Sequence, residues 1–300
     1  MTRCGLVALV GRPNVGKSTL ANLIVGEKFA IVSKSAQTTR NRLQGVRTLP
    51  EGQIVVVDTP GIHRPQHRMN ELMVEEAKAA LRDVDLVVMV IDACAFGTGD
   101  RFVISLLPRE RVPSLLVLNK VDKMRKPDLL PLASSVNQMF PFAATYMLSA
   151  LTGENAEDLP GRLLAFLPEG PALFPEDYIT SQQTRFMAAE MIREKILRHT
   201  RQEIPHETCV LIESYQEDEE TGLVSVEATI LVEKDSQKGI VIGSEGSLLK
   251  MVGTEAREDL ERLIGQKVFL KMWVKVRPGW RDDPALLRQL GLAPGDASTA

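Results

Sequence analysis

The fold class this sequence predicts is a mostly parallel α/β sheet covered by helices on both faces, followed by a smaller α+β module. Three observations predict it. Short runs apolar on both faces, at residues 6–10, 86–91 and 115–118, alternate with helical patterns, as strands of a buried parallel sheet do. Residues 167–177 then hold three prolines and a glycine and cannot be regular structure. Beyond them the pattern becomes helix, strand, strand, helix, loop, helix, strand.

The first strand, residues 6–10, runs into Gly11-Arg12-Pro13-Asn14-Val15-Gly16-Lys17-Ser18, and an apolar-periodic helix over 17–25 carries Thr19 in its first turn. This is the G-x-x-x-x-G-K-S spacing of a P-loop. Glycines let the backbone turn its N–H groups around a phosphate, and the helix aims its positive end at the same anion. Lys17 would reach the β- and γ-phosphates and the Ser18 hydroxyl would ligate Mg²⁺. From this stretch alone, a glycine turn without a ligand remains the alternative.

Residues 33–42 are polar without periodicity and read as a loop. Strands at 43–48 and 53–57, joined through Pro50-Glu51-Gly52, imply an antiparallel hairpin. Helices at 69–81, 101–107, 129–138 and 156–166 then alternate with strands at 86–91, 115–118 and 144–148. This assigns residues 1–167 to one domain, 168–177 to a semi-rigid linker, 178–283 to the second domain and 284–300 to a loosely held tail. Thr180 with Gln183 forms a capping box for a helix reaching 199. Strands at 209–215 and 223–232 flank an acidic turn, and helices at 237–242 and 248–264 precede a strand at 268–276.

A chain of 300 residues, 44% hydrophobic, can bury two cores. Its net charge of -3 predicts no bulk attraction to polyanions, so a nucleic-acid site must be a local patch. Cys4, Cys94 and Cys209 lie beside apolar runs and make no C-x-x-C pair; they read as buried reduced thiols of a cytoplasmic protein. The four histidines, His63, His67, His199 and His206, lack metal-ligand spacing. The first apolar run leads directly into the glycine loop and reads as a core strand, not a signal peptide. No run nears the roughly 18 apolar residues of a membrane span.

Further candidate residues fall at strand ends, where ligands of open α/β sheets bind. In Asp58-Thr59-Pro60-Gly61, Asp58 can hold a metal-bound water and the Gly61 N–H can meet a γ-phosphate. Asn119-Lys120-Val121-Asp122 selects the base: the Asp122 carboxylate can accept two hydrogen bonds from the N1–H and N2–H₂ edge of guanine, a donor pair adenine lacks. Ser149-Ala150-Leu151 can offer a backbone N–H to the guanine O6.

These stretches in this order, together with Thr38-Thr39, resemble the five motifs of the translation-factor-related GTPases. The resemblance implies a P-loop GTPase domain of Ras-like, mixed and mostly parallel sheet that hydrolyses GTP to GDP, with Lys17 and Gly61 in the catalytic machinery. It also implies a switch threonine on Mg²⁺ beside Ser18 and Asp58, assigned to Thr39 by its place next to Arg40. Where Ras-type members carry a water-orienting glutamine, this chain has Ile62. It therefore resembles the subgroup with a hydrophobic residue there, for which slow intrinsic hydrolysis is expected. In some of that subgroup a P-loop asparagine ligates K⁺, and Asn14 occupies the matching position.

In the second module, Gly243-Ser244-Glu245-Gly246 is a G-x-x-G loop between two helices, the device with which a KH domain clamps about four nucleotides; the element order resembles type II KH. On the last strand Lys267, Phe269, Lys271, Trp273 and Lys275 share one face. They read either as base-stacking and phosphate-flanking groups or as edge-protecting lysines. Residues 234–281 hold ten Lys/Arg against six Asp/Glu, so Lys238, Lys250, Arg277, Trp280 and Arg281 join the candidate RNA contacts. Glu245 within the loop does not favour phosphate.

With Gln37-Thr38-Thr39-Arg40, Pro175-Glu176-Asp177-Tyr178-Ile179-Thr180 and Trp280-Arg281, the chain resembles the Era family of bacterial GTPases over nearly its whole length. That resemblance implies a monomeric factor that binds the 3′ end of 16S ribosomal RNA and assists 30S subunit maturation. It also implies a peripheral contact with the inner membrane, which no stretch explains. A signalling or tRNA-modification GTPase whose C-terminal module binds protein is the alternative.

Overall fold

The computed structural model describes residues 2–33, 39–62, 67–109, 112–176, 178–180, 182–200, 204–218 and 220–292. The chain divides into two compact units, residues 1–30 with 37–181 and residues 31–36 with 182–300.

The first unit contains, in order, β1 (Arg3–Val10), α1 (Lys17–Val25), β2 (Leu43–Leu49), β3 (Gly52–Asp58), α2 (Arg68–Ala80), β4 (Leu86–Asp92), α3 (Thr98–Ser105), β5 (Ser114–Asn119), α4 (Lys126–Asn137), β6 (Ala144–Met147) and α5 (Leu159–Leu164). The sheet order is β2-β3-β1-β4-β5-β6, with β2 antiparallel to β3 and every other pair parallel. β3 and β5 are buried along their whole length, as the apolar stretches at residues 54–57 and 115–118 within them demand. α4 starts at Lys126 rather than near 129, because Pro127 in the first turn gives up an N–H that has no intrahelical partner anyway. This strand order gathers the carboxyl ends of β1, β3, β5 and β6 on one edge.

The proline-rich stretch differs from its expectation. Rather than standing free, its backbone is pinned to the first unit: Cys4 N–H donates to Pro168 O at 3.0 Å and Gly170 N–H to Thr2 O at 3.1 Å. Gln53, 1% exposed, accepts on Oε1 from the N–H groups of Leu173 and Phe174, both at 2.9 Å, and donates from Nε2 to Phe174 O at 2.9 Å. One side-chain amide thus does what a neighbouring strand would do. Val46 N–H continues the ladder to Ile179 O at 2.8 Å. The Thr180 hydroxyl donates to Gln44 O at 2.7 Å, and the next helix begins at Thr184 behind Gln183, which makes no side-chain cap, so the expected box at Thr180 and Gln183 does not open it.

The second unit contains α6 (Thr184–His199), α7 (Ile204–Glu207), β7 (Thr208–Glu217), β8 (Leu223–Val232), α8 (Asp235–Ile242), α9 (Ser247–Ile264), β9 (Lys267–Val276) and α10 (Pro284–Gln289). β8 is the centre of the three-stranded sheet, antiparallel to β7 and parallel to β9. Ile192 and Ile196 of α6, Val252 and Ala256 of α9, and Val210, Ala228, Ile230 and Val274 of the strands form one buried cluster. Lys195 Nζ, buried, lies 2.5 Å from Asp259 Oδ2, tying α6 to α9 through an ion pair.

Residues after Asp283 also depart from the expected loose tail. The Asp283 carboxylate caps α10 by accepting from the N–H groups of Ala285 and Leu286, and Leu286, Leu287 and Leu292 are each 1% exposed. Residues 293–300 lie outside the described set. Of the three thiols, Cys4 and Cys209 are buried as expected, whereas Cys94 is exposed in the turn after β4, where its N–H donates to Asp92 Oδ1.

Candidate nucleotide site and nucleic-acid interface

The glycine loop leaves the carboxyl end of β1, and α1 starts at Lys17 behind Gly16, whose φ of 99° is a left-handed conformation. A Cβ on Gly16 would sit 2.3 Å from Asn119 Nδ2, so only glycine fits there. Lys17 is 6% exposed, and its Nζ donates to Gly11 O at 3.2 Å and Arg12 O at 3.0 Å. Burial lowers its pKa to about 8, against the opposing pull of Asp58.

Three oxygens meet beside it. Ser18 Oγ lies 2.7 Å from Asp58 Oδ2 and 2.7 Å from Thr39 Oγ1, and Thr39 Oγ1 lies 2.8 Å from Asp58 Oδ2. Burial drives the Asp58 pKa upward, with Lys17 and the two hydroxyls pulling the other way. Its Oδ1 is buried without a hydrogen-bond partner. A triad of hard oxygens with one orphaned carboxylate oxygen is a donor set that fits Mg²⁺. Of the switch stretch, Gln37 and Thr38 lie outside the described residues.

Asn119 and Lys120, at the end of β5, stitch the base-side loop to the phosphate loop. Asn119 Nδ2 donates to Val15 O at 2.8 Å, and Lys120 Nζ reaches Asn14 O at 2.6 Å and Asp92 Oδ2 at 2.7 Å. Asp122 is exposed beside them. The N–H of Ala150 donates to Asn119 Oδ1 at 2.9 Å, so this donor of the Ser149-Ala150-Leu151 turn is already engaged, while Leu151 is 74% exposed.

Ile62 is wholly buried in the core between the sheet and its helices. Its N–H donates to Gly11 O at 3.1 Å, which braces the phosphate loop from behind. Asn14 is exposed with φ 64°.

One partner escaped the sequence analysis. Asp100 of α3, 0% exposed, pairs with Arg12 of the glycine loop at 2.8 Å, and its Oδ2 accepts from the Gly97 N–H at 2.9 Å. The available signal was local: an aspartate three residues after a glycine at a helix start is the acidic half of a capping box.

In the second unit, Gly243 closes α8 with φ 76° and ψ 174°, a region essentially reserved for glycine. Ser244 and Glu245 are exposed, and α9 starts at Ser247. Lys238 and Lys250 lie on the two helices flanking the loop, half-buried and exposed respectively. Two expected RNA contacts are occupied elsewhere. Trp280 is 0% exposed, with its indole N–H donating to Glu207 O at 3.1 Å, and Arg281 pairs with both Glu207 and Glu233 at 3.1 Å. Both belong to the packing of the unit, because the apolar ring is withdrawn from solvent and the guanidinium is neutralised. Arg277 is exposed and paired with Asp283.

Among the described residues no cluster of His, Cys, Asp and Glu could hold a metal ion, and no helix is long and apolar enough to cross a membrane.

Comparison with known proteins agrees with this geometry. A family model described as 50S ribosome-binding GTPase matches residues 6–120, and a KH domain model matches residues 203–281. GTPase Era of Geobacter metallireducens is 46% identical over 290 residues, covering 96% of this chain and 97% of that protein. The crystal structure of Era in complex with MgGDPNP and nucleotides 1506–1542 of 16S ribosomal RNA superposes with a TM-score of 0.93 at 38% identity, covering 98% of this chain and 100% of that one. An Aquifex aeolicus Era variant bound to GDP·AlF4⁻ gives a TM-score of 0.93 at 38% identity, covering 97% and 100%. A GTPase unit and a KH unit in one chain, matched end to end at these identities, place the protein in the Era family of GTPases.

Proposed function

We propose that this GTPase binds the 3′-terminal region of 16S ribosomal RNA and serves 30S subunit maturation from the cytoplasm, with its nucleotide state setting how tightly the RNA is held. The observation that carries it is the pairing, in one chain, of the Ser18, Thr39 and Asp58 oxygen triad with the loop from Gly243 to Gly246, which exposes Ser244 and Glu245.

In the first unit the N–H groups of the loop from Gly11 to Ser18 cradle the phosphates, Lys17 leaves the Gly11 and Arg12 carbonyls for the β- and γ-phosphates, and Asp122 accepts from the guanine edge. Bound Mg²⁺, held by Ser18 and Thr39 with Asp58 through water, would supply charge neutralisation at the β- and γ-phosphates. The Gly61 N–H meets the γ-phosphate. Ile62, buried and without polar atoms, takes no part in orienting water, so hydrolysis is slow. Asn14, exposed at the turn of the loop, is the residue through which K⁺ would act; equal rates in KCl and NaCl at matched ionic strength remove that role.

In the second unit the glycine loop admits ribose and phosphate closely, with Lys238 and Lys250 on its flanks. Crosslinking to total RNA with a GTP analogue bound, followed by mapping of the crosslinked site, tests the assignment: crosslinks in the 16S 3′ region are expected, and crosslinks elsewhere reject it. Equal RNA affinity with GTP analogue and GDP rejects the coupling.

A further inference from the structure

Register places two candidate groups of RNA contacts on opposite faces of the small sheet. Val268, Leu270, Met272 and Val274 pack against the helical side with α9 and α6, and the glycine loop lies on that side because it joins α8 to α9. Alternation along β9 therefore turns Lys267, Phe269, Lys271, Trp273 and Lys275 to the other face. Across β8 on that face lie Ser225 opposite Phe269, Glu227 opposite Lys271, Thr229 opposite Trp273 and Leu231 opposite Lys275.

The rings are presented to solvent: Phe269 is 56% exposed and Trp273 37%. Trp273 is also held in place. Lys271 Nζ lies 4.7 Å over the Trp273 ring and 3.5 Å from Glu227 Oε1, so the indole is braced on one side by a cation. Along a strand, residues two apart on one face are separated by about 6.6 Å, close to the step between successive nucleotides of an extended strand. A lysine and the next ring are one such step apart, so the two rings stand about two steps, ~13 Å, from one another, and this face carries three lysines against one carboxylate on β8 and β9. Edge protection explains lysines but not two exposed rings between them.

We propose that this outer sheet face is a second RNA surface, on which Phe269 and Trp273 stack unpaired bases while Lys267, Lys271 and Lys275 meet the intervening phosphates. The surface rests on the proposed RNA-binding function and extends it. The glycine loop takes about four nucleotides, and the strand face takes a different tract of the same RNA. Single-stranded RNA is the occupant because a ring between cations matches a base between phosphates, and no base-edge readout is needed.

The test is a nucleotide-resolution footprint of the full chain, bound to GTP analogue, on an RNA covering nucleotides 1506–1542 of 16S rRNA. Three proteins are compared: the parent, Ser244→Asp in the exposed clamp loop, and the double variant Phe269→Ala with Trp273→Ala. Removing each ring is expected to weaken binding about tenfold, and the double variant is expected to lose one protected tract while Ser244→Asp loses another. Trp273→Phe, keeping a ring, should restore most of the lost protection. The second surface is overturned if the double variant leaves the footprint unchanged, or if both variants lose the same tract. A parent that protects nothing rejects the RNA-binding function itself.

Discussion

Thr39 Oγ1 stands 2.8 Å from Asp58 Oδ2, so the end of the switch stretch and the end of β3 meet at one carboxylate. Thr39 is 5% exposed there, and Asp58 is fully buried. Thr39→Ala is expected to leave GDP binding intact and to slow hydrolysis at least a hundredfold. Losing a metal ligand removes several kcal/mol of charge stabilisation from the transition state, and each ~1.4 kcal/mol is tenfold in rate. Single-turnover hydrolysis beside GDP titration checks it; equal losses in both would mean that the substitution collapses the site.

Asp122 reads the N1–H and N2–H₂ edge of the base in this scheme. In Asp122→Asn the amide cannot accept from both the N1–H and N2–H₂ groups, so one charge-assisted bond is lost and a donor faces a donor. GTP affinity should fall by about a hundredfold, from ~1.5–3 kcal/mol per hydrogen bond to a charged group, while xanthosine triphosphate, with an oxygen at that carbon, should gain. Competition binding with the two nucleotides decides it.

The Arg12 to Asp100 pair fixes the phosphate loop to α3. Asp100→Ala removes the carboxylate that neutralises the half-buried Arg12 guanidinium, which keeps its bond to Ala95 O, and leaves the Gly97 N–H without its partner; breaking a buried pair from one side costs about 3 kcal/mol. Denaturant unfolding should show that loss, and nucleotide dissociation should quicken because the loop loses its anchor. Unchanged stability would show that the pair is only a surface contact.

Two tryptophans separate packing from recognition. Trp280→Ala is expected to destabilise the second unit by about 3–5 kcal/mol, the usual cost of emptying a buried aromatic site. Trp273→Ala should change stability by less than about 1 kcal/mol while weakening RNA binding. Thermal unfolding of the two variants side by side tests the contrast.

The contrast also shows where the sequence is legible. Strand, glycine loop and helix at residues 6–25, the hairpin at 43–58 and the base loop at 119–122 are written in adjacent residues, and the structure places all of them as expected. The departures share a cause, namely partners far away in the chain. Nothing around Trp280 names Glu207, nothing around Thr180 names Gln44, and Phe174 meets Gln53 only once β3 exists. A loop carrying two arginines and a tryptophan advertises a ligand equally well when its groups are spent inside the fold, as Arg281 is on Glu207 and Glu233.

Gln53 settles how the chain answers a protease. Residues 168–174 have the composition of an exposed cutting site, yet to enter a cleft they must first peel away from an amide that grips them through three hydrogen bonds. Gln53→Ala should let the enzyme nick there early in limited digestion, whereas in the intact protein that peptide should outlast its appearance.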